Sequence, residues 1–313
     1  MHKGVLQIGA GFVGDRLMTL LIKKGYPVTI ADLKFGDDIR NREKTRKMIH
    51  DFPGDKVILV SAIANLNFFE ADPWNSLDVN MGGLINVAMA CVENKKKLYY
   101  ISTCCVYGNT KDLPSSEEAR PEPSEIYAAC KLAGEWIIKG LHRSFDLEYV
   151  ILRIATTYGI GMRKELAPAV FINQVLKGEP ITIHGDGKQT RTLTYIDDEV
   201  EGIGAVVMSD ATNDTFNIST EEERDVNYLA EVICDEMDEP NYKIIHITNR
   251  KGQTYKEKID AAKMTKLRVW EGRYAPDPSK VNGNIGWKAK ISLREGIRKT
   301  LDWMFENKML EIK

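Results

Sequence analysis

Apolar and polar positions change their spacing in a regular way along this chain. Short apolar stretches rich in β-branched and aromatic residues recur in its first half and predict strands: GVLQI, PVTIAD, KVILVSA, KLYYIST and EYVILRIA. Longer amphipathic stretches separate most of them, and such alternation is typical of a parallel sheet covered by helices on both faces. The pattern therefore predicts an α/β fold built on a doubly wound parallel sheet.

Beyond about residue 156 the alternation becomes less regular. The stretches RKELAPAVFINQVLKG and RDVNYLAEVICDEM predict helices, and EPITIHGDGKQTRTLTY between them predicts strands around a turn. Near the end, SLREGIRKTLDWMFENK has a serine followed three residues later by a glutamate, which predicts a capped helix. We expect one domain over residues 1–155, with elements returning at about 190–218, and a smaller, interleaved lobe over residues 156–313.

Composition narrows the classes of function. The 313 residues are 43% hydrophobic and 28% charged with a formal net charge of −2, so nucleic acid is not an expected partner. No apolar run reaches the ~18 residues that span a bilayer, and we expect no membrane segment and no signal peptide. The 5 cysteines lack CxxC or zinc spacing and the 5 histidines form no cluster, which favours a cytoplasmic protein without a metal.

A glycine-rich turn follows the first predicted strand. VLQIGAGFVGDRL places Gly9, Gly11 and Gly14 in a GxGxxG pattern between a strand and a helix, where glycines let the backbone approach a pyrophosphate. Asp32, 18 residues beyond Gly14, ends the second strand, where a carboxylate accepts from ribose hydroxyls and repels a 2′-phosphate. These residues predict NAD, although Lys34 leaves NADP open, and the alternative is that the glycines only make a tight turn.

A tyrosine and a lysine four residues apart, Tyr127 and Lys131, lie in YAACK within a helical pattern and so share one helix face. A free tyrosine has a pKa near 10, and lowering it by about three units takes roughly 4 kcal/mol. A nearby ammonium and an oxidised nicotinamide would both favour the phenolate. The pair predicts a catalytic base, with the Thr103 hydroxyl as a donor to the reacting oxygen. The alternative is a core tyrosine beside an exposed lysine.

The order of these motifs resembles the extended short-chain dehydrogenase/reductases, specifically their NAD-dependent nucleotide-sugar epimerases and dehydratases, and most closely the UDP-hexose 4-epimerase pattern. The similar segments are DPWNSLDVNMGGLINV, STCCVYG, YAACKLAGE, LRIATTYGIG, GDGKQTRTLTYIDD and PDPSKVNGNIGWKAKISLREGIRKTLDW. The resemblance implies a Rossmann-type NAD-binding domain, a smaller C-terminal substrate-binding lobe and a nucleotide diphosphate sugar as substrate. It also implies a homodimer, formed through the largely apolar helices predicted in NSLDVNMGGLINVAMACV and EIYAACKLAGEWIIKGL. The alternative is that the C-terminal lobe buries their second apolar face.

Three features depart from the family pattern. Ile8 stands where the family has a first glycine, the link after the second strand is short, and Thr156 replaces an asparagine near the diphosphate. The resemblance gives the following cofactor contacts: Gly9, Gly11, Phe12, Val13, Gly14, Asp32, Asp38, Ile39, Ser61, Ala62, Tyr127 and Lys131. It assigns Asp38 and Ile39 to the adenine. The substrate contacts are Thr103, Cys104, Cys105, Thr156, Arg191 and Arg268, with the two arginines on the diphosphate. The spacing to Arg268 is one residue short of the family pattern, and the alternative is that Arg268 is a solvated surface charge.

Two adjacent cysteines, Cys104 and Cys105, stand where the family's 4,6-dehydratases have an acidic pair and its decarboxylases a glutamate at the second position. A thiol is a poor substitute for a carboxylate as a proton donor. We therefore interpret the two cysteines as small packing residues. The alternative that one of them acts as a base stays open. We expect an isomerase that epimerises C4 through a 4-keto sugar. A 4-ketoreductase or 4-dehydrogenase, a dehydratase or decarboxylase, and a non-catalytic dinucleotide sensor remain alternatives.

Overall fold

A computed structural model of the chain describes residues 4–108, 110–239, 241–247, 273 and 275–307. The strands are β1 (Val5–Ile8), β2 (Val28–Ala31), β3 (Lys56–Leu59), β4 (Lys97–Thr103), β5 (Tyr149–Ile154), β6 (Thr156–Tyr158), β7 (Ile181–His184), β8 (Thr190–Tyr195), β9 (Asp214–Ile218), β10 (Glu223–Asp225) and β11 (Ile244–Ile247). The helices are α1 (Phe12–Lys23), α2 (Arg42–Asp51), α3 (Leu66–Ala71), α4 (Pro73–Leu77), α5 (Gly83–Asn94), α6 (Ile126–Phe145), α7 (Ala167–Leu176), α8 (Ile196–Met208), α9 (Val226–Glu236), α10 (Ser279–Ile285) and α11 (Leu293–Glu306). In these ranges no helix is long and apolar enough to cross a membrane.

Six strands form one sheet in the order β2-β1-β3-β4-β5-β9, and every neighbouring pair is parallel. The predicted doubly wound α/β fold of the Rossmann type is confirmed. Strand order reverses at β1, which lies between β2 and β3. In such sheets the crevice outside the carboxyl ends of the strands at this reversal is the usual ligand site.

The central strands are apolar along their whole length because helices cover both faces of the sheet. All four residues of β1 are buried, and β5 is buried over its first five residues. The core on one face joins these strands to residues of α5 and α6 and includes Leu6, Ile8, Val57, Leu59, Leu84, Val87, Leu98, Ile138 and Ile151. The continuous apolar runs that predicted strands therefore reflect burial on two sides.

The chain divides into two compact units. The first comprises Met1–Ala155, Val200–Ile218 and Asp277–Lys288, and the second comprises Thr156–Glu199, Ser219–Pro276 and Ala289–Lys313. The sequence led us to expect one return to the first domain, at about 190–218; the structure has two, at 200–218 and 277–288. The assignment of NAD to one unit and of substrate to the other stays a prediction.

Among its described residues the second unit has two small sheets. One has the order β10-β8-β6, with β10 antiparallel and β6 parallel to β8, and the other pairs β11 with β7 in parallel. The strands expected around a turn, β7 and β8, are both present, but they belong to different sheets and do not form a hairpin. The predicted cap of α11 is also present, because Oγ of Ser292 accepts a hydrogen bond from the backbone N–H of Glu295 at 3.2 Å.

The helix predicted over residues 75–92 is interrupted. α4 ends at Leu77, a π-helical turn follows over Asp78–Gly82, and α5 begins at Gly83. Within this turn Asn80 is buried and binds the loop after β3 through both ends of its amide: Oδ1 accepts from the Ile63 N–H at 2.8 Å and Nδ2 donates to the Ile63 carbonyl at 3.1 Å. The π turn thus fixes the loop that carries Ser61 and Ala62.

Candidate active site

The turn between β1 and α1 is too crowded for side chains at two of its glycines. Gly9 has φ +111°, and a Cβ there would lie 2.5 Å from the Ser61 nitrogen. A Cβ on Gly14 would lie 2.3 Å from the Gly9 carbonyl oxygen, whereas one on Gly11 would meet nothing within 4 Å. Gly11 is exposed and caps α1 without a side-chain hydrogen bond. Gly9 and Gly14 are therefore needed for the close packing of the turn. At Gly11 the space at the start of the helix is open and could take a ligand.

Sequence reasoning missed one residue that shapes this turn, Gln7. It is fully buried in β1, and its Nε2 donates to the Gly9 carbonyl at 2.9 Å and to the Gly14 carbonyl at 2.8 Å. These bonds tie the end of the strand to the first turn of α1. A polar residue inside the apolar stretch VLQI was the available signal.

Asp32 directly follows β2 and faces the same turn. Its Oδ2 accepts from the Ala10 N–H at 2.7 Å and its Oδ1 accepts from the Lys34 N–H at 2.9 Å. The Lys34 ammonium donates to the Ala10 carbonyl at 3.1 Å and lies 3.7 Å from a carboxylate oxygen of Asp15. The Asp32 carboxylate, predicted to bind the ribose, is thus held beside the glycines. Lys34 binds the backbone of the same glycine-rich turn.

The two residues predicted to contact adenine, Asp38 and Ile39, both contact other residues of the protein. Asp38 makes a 2.6 Å ion pair with Arg40, whose hydrogen bonds hold the pKa of that carboxyl below its usual value. Ile39 is buried and packs on α5, where a Cβ on Gly83 would lie 2.4 Å from its Cδ1. Its carbonyl accepts from Nδ2 of Asn86 at 2.9 Å. The contact of this pair with adenine stays a prediction.

The predicted catalytic pair lies in the first turns of α6. Tyr127 is half-buried, and its ring meets the edge of Phe69 at a centroid distance of 6.3 Å. Lys131 is 3% exposed, donates from Nζ to the Ile101 carbonyl at 2.8 Å, and lies 4.6 Å from the centre of the Tyr100 ring. Burial lowers the pKa of Lys131 to about 8, against the opposing effects of nearby thiol and carboxyl groups. The ammonium is therefore charged at neutral pH but close to its titration range.

Thr103 is the last residue of β4 and is 7% exposed. Its Oγ1 accepts a hydrogen bond from the Cys105 backbone N–H at 3.2 Å. One lone pair of the hydroxyl is therefore used by the backbone, and this orients the hydroxyl hydrogen away from that N–H. The geometry suits the predicted role as a donor to a reacting oxygen.

The two cysteines after Thr103 differ in their surroundings. Cys104 is 0% exposed, and its thiol donates to the Arg153 carbonyl at 3.0 Å. Cys105 is partly exposed, and neither cysteine belongs to a disulfide. Full burial is typical of a packing residue, and the contact of Cys104 with a substrate stays a prediction. Cys105 is the thiol of the pair with exposed surface.

The remaining predicted substrate contacts belong to the second unit. Thr156 opens β6 and is partly buried; Arg191 lies on β8 and donates from Nη1 to the Thr190 carbonyl at 2.8 Å. Arg268 lies outside the described residues. No group of histidine, cysteine or acidic side chains suited to a metal occurs in the part of the chain that the structure describes.

Comparison with known proteins places this geometry in a family. A family model described as the NAD dependent epimerase/dehydratase family matches residues 8–219. A Methanocaldococcus jannaschii protein named "Putative UDP-glucose 4-epimerase" is 29% identical over 96% of this chain and 97% of its own. A UDP-N-acetyl-alpha-D-glucosaminuronate decarboxylase from Bacillus cytotoxicus is 26% identical over 95% of this chain and 96% of its own.

Solved structures share the fold along nearly the whole chain. A mutant of a UDP-glucuronic acid 4-epimerase from Bacillus cereus, in complex with UDP-4-deoxy-4-fluoro-glucuronic acid and NAD, matches with a TM-score of 0.82 and 26% identity. The match covers 97% of this chain and 99% of that one. Similar proteins thus carry out more than one reaction on nucleotide sugars.

Proposed function

Because the chain belongs to the NAD-dependent epimerase/dehydratase family, we propose that it epimerises C4 of a nucleotide diphosphate sugar. One observation carries the choice of reaction: Tyr127 and Lys131 are present one turn apart on α6, while thiols occupy positions 104 and 105 where elimination or decarboxylation uses carboxylates. A tyrosine, a lysine and a hydroxyl suffice to oxidise and reduce a sugar carbon. They supply no acid–base pair for the loss of water.

The residues around Gly11 fit a dinucleotide, because the turn is open at that position and a helix N-terminus faces the space. When bound, NAD supplies a hydride acceptor and, once reduced, a hydride donor. We assign Gly9, Gly11 and Gly14 to the pyrophosphate and Asp32 to the ribose. A carboxylate at the ribose favours NAD over NADP.

In the proposed reaction Tyr127 takes the proton from the C4 hydroxyl as that carbon is oxidised, and it returns a proton when the resulting ketone is reduced on its other face. The ammonium of Lys131 favours the phenolate form of Tyr127 by its charge. Thr103 donates a hydrogen bond to the same sugar oxygen. Since the sugar ends at its starting oxidation level, no second substrate is consumed.

We propose a nucleotide sugar because similar proteins act on or bind such compounds, including the UDP-sugar held by the Bacillus cereus enzyme. Arg191 supplies the guanidinium expected on a diphosphate, and Thr156 and Cys105 are the other proposed substrate contacts. Arg268 is retained as a proposal from the sequence alone.

The proposal is tested by incubating purified protein with UDP-glucose and UDP-galactose, then with N-acetylated and uronic acid forms, and following each by NMR. We expect two sugars that differ only in configuration at C4 to interconvert without added NADH. Denaturing the protein should release NAD into the supernatant. A product formed by loss of water or of carbon dioxide would overturn the epimerase assignment. Turnover only with stoichiometric NAD or NADH would favour a 4-dehydrogenase or 4-ketoreductase, and inactivity with NAD bound would favour a sensor.

We also propose a homodimer in the cytoplasm. α5 and α6 pack together, with Gly134 close to Leu84, and carry large exposed apolar side chains: Ile85 at 42%, Trp136 at 57% and Phe145 at 57%. Five cysteines without a disulfide fit a reducing compartment. Sedimentation of the protein and of Trp136→Glu tests the dimer, which we expect only for the wild type.

A further inference from the structure

A buried ion pair joins the catalytic helix to the sheet in the first unit. Nη2 of Arg153, on β5, lies 2.7 Å from Oε2 of Glu135, on α6, and the two side chains are only 3% and 1% exposed. Nε of the arginine also donates to both carboxylate oxygens, at 3.1 and 3.3 Å. Apolar replacements of such pairs are often neutral or stabilising, so stability alone does not explain it.

The carboxylate of this pair also binds the strand that ends at Thr103. Oγ of Ser102 donates to Oε1 of Glu135 at 2.5 Å, and the preceding carbonyl, of Ile101, accepts from Lys131 Nζ at 2.8 Å. Consecutive residues of β4 are therefore bound to residues one turn apart on α6. These two bonds fix the register of the helix that carries Tyr127 against the strand that carries Thr103.

The Arg153 guanidinium also binds groups on the side away from Glu135. Its Nη1 donates to the Tyr107 hydroxyl at 2.9 Å and to the Glu117 carbonyl at 3.2 Å, and the Tyr107 hydroxyl donates to Oδ1 of Asn217 at 2.7 Å. The backbone carbonyl of Arg153 accepts the Cys104 thiol. The pair thereby anchors the turn that directly follows Thr103.

The pair also balances charge near Lys131. The carboxylate lies one helical turn from the ammonium and favours its charged form, opposing burial. The ionisable groups around the two sites are Tyr127, Cys130 and Lys139 on α6, Tyr100 on β4, Cys104 and Tyr107 in the following turn, Glu117 beyond it, and Lys280 on α10. Removing only the carboxylate leaves the guanidinium as an unbalanced buried cation.

Resting on the proposed function, we propose that Glu135 and Arg153 form a positioning pair. The pair holds α6 in register with β4, and its paired charges let a buried ammonium coexist with a buried guanidinium. Neither residue touches the reacting atoms. Both act through Lys131, Thr103 and the turn that follows.

The charge part is tested by measuring kcat against pH for the wild type, Glu135→Gln and the double variant Glu135→Gln/Arg153→Met. In Glu135→Gln the unbalanced guanidinium favours loss of the Lys131 proton, so the alkaline fall in kcat moves to lower pH by about 0.5–1 unit. The double variant, which removes the cation too, returns the fall to the wild-type pH. Asp51→Asn, which removes one partner of an exposed ion pair, is the control and leaves the profile unchanged.

The register part is tested with Ser102→Ala, which removes a hydrogen bond without changing any charge. Because this change is small, the variant should fold even if Glu135→Gln does not. We expect kcat about 10-fold lower, KM within about twofold and an unmoved pH profile. An unchanged kcat in Ser102→Ala overturns the register role. Identical pH profiles for the wild type and Glu135→Gln overturn the charge role.

A measurement without substrate separates this proposal from the proposed function. The near-ultraviolet absorbance of the phenolate is titrated as a difference between each protein and the same protein carrying Tyr127→Phe. We expect the midpoint of Tyr127 to move in Glu135→Gln and to return in the double variant. If every nucleotide sugar is inert but these midpoints move, the proposed reaction fails and the positioning pair stands; fixed midpoints overturn the pair.

Discussion

At the scale of single residues, the glycines after β1 have different functions. Gly14 is needed because the Gly9 carbonyl lies where its Cβ would be, at 2.3 Å. A Cβ on Gly11 would meet no atom within 4 Å beyond its chain neighbours, so the fold does not require glycine there, and we propose that the open space takes a ligand. This difference can be measured by adding one methyl group at each position.

We expect Gly14→Ala to lower the free energy of unfolding by about 3 kcal/mol, because the backbone must shift to accept the new Cβ. Gly11→Ala should change it by less than about 1 kcal/mol but weaken NAD binding about 10-fold or more, since its Cβ enters the open space. Urea unfolding and equilibrium dialysis of NAD measure the two effects. Equal losses of stability in the two variants would contradict this division.

The phenol of Tyr127 is assigned to proton transfer and not to binding. Tyr127→Phe should lower kcat by about 10²–10⁴-fold while NAD stays bound, because the ring and its contact with Phe69 are kept. Turnover and NAD content of the same preparation are the measurements. Near-normal turnover would reassign proton transfer to another group, with the partly exposed Cys105 examined next.

The sequence predicted the residues whose signal is local. The glycine spacing, the Tyr127–Lys131 spacing and the acid at the end of β2 are short patterns, and the fold they imply is confirmed by the parallel sheet. Gln7 and the Glu135–Arg153 pair were missed because their meaning lies in contacts with groups far away in sequence or with backbone carbonyls. The burial of Cys104 was equally invisible, since its neighbour Cys105 has the same side chain and a different environment.

At the scale of elements, the π turn between α4 and α5 holds a loop of the candidate site. Asn80→Ala leaves the N–H and carbonyl of Ile63 without their amide partner, so we expect a loss of about 2 kcal/mol in stability and weaker NAD binding. Ser292→Ala is the matched control: it removes the cap of α11 in the second unit and should cost about 1 kcal/mol without affecting NAD. Thermal unfolding and NAD titration distinguish them, and unchanged NAD affinity in Asn80→Ala would contradict the role of the turn.

At the scale of the whole molecule, a bound cofactor should stabilise the folded protein by mass action. With NAD at 100 times its dissociation constant the gain is about 2.7 kcal/mol, and it should be lost when NAD is removed. Tyr127→Phe should keep this gain and Gly11→Ala should lose most of it. Calorimetry at several NAD concentrations gives the result, and a Tm independent of NAD would mean that the folded chain does not bind it.

The chain's repeated passage between the units bears on how the protein is made. During synthesis β5 emerges some 60 residues before β9, which completes the sheet beside it, and α10 follows later still. Until then the growing polypeptide carries an unprotected strand edge that can pair with another nascent chain. Ribosome-bound fragments ending before residue 214 should therefore depend on chaperones, whereas those that include residues 214–288 should resist proteolysis.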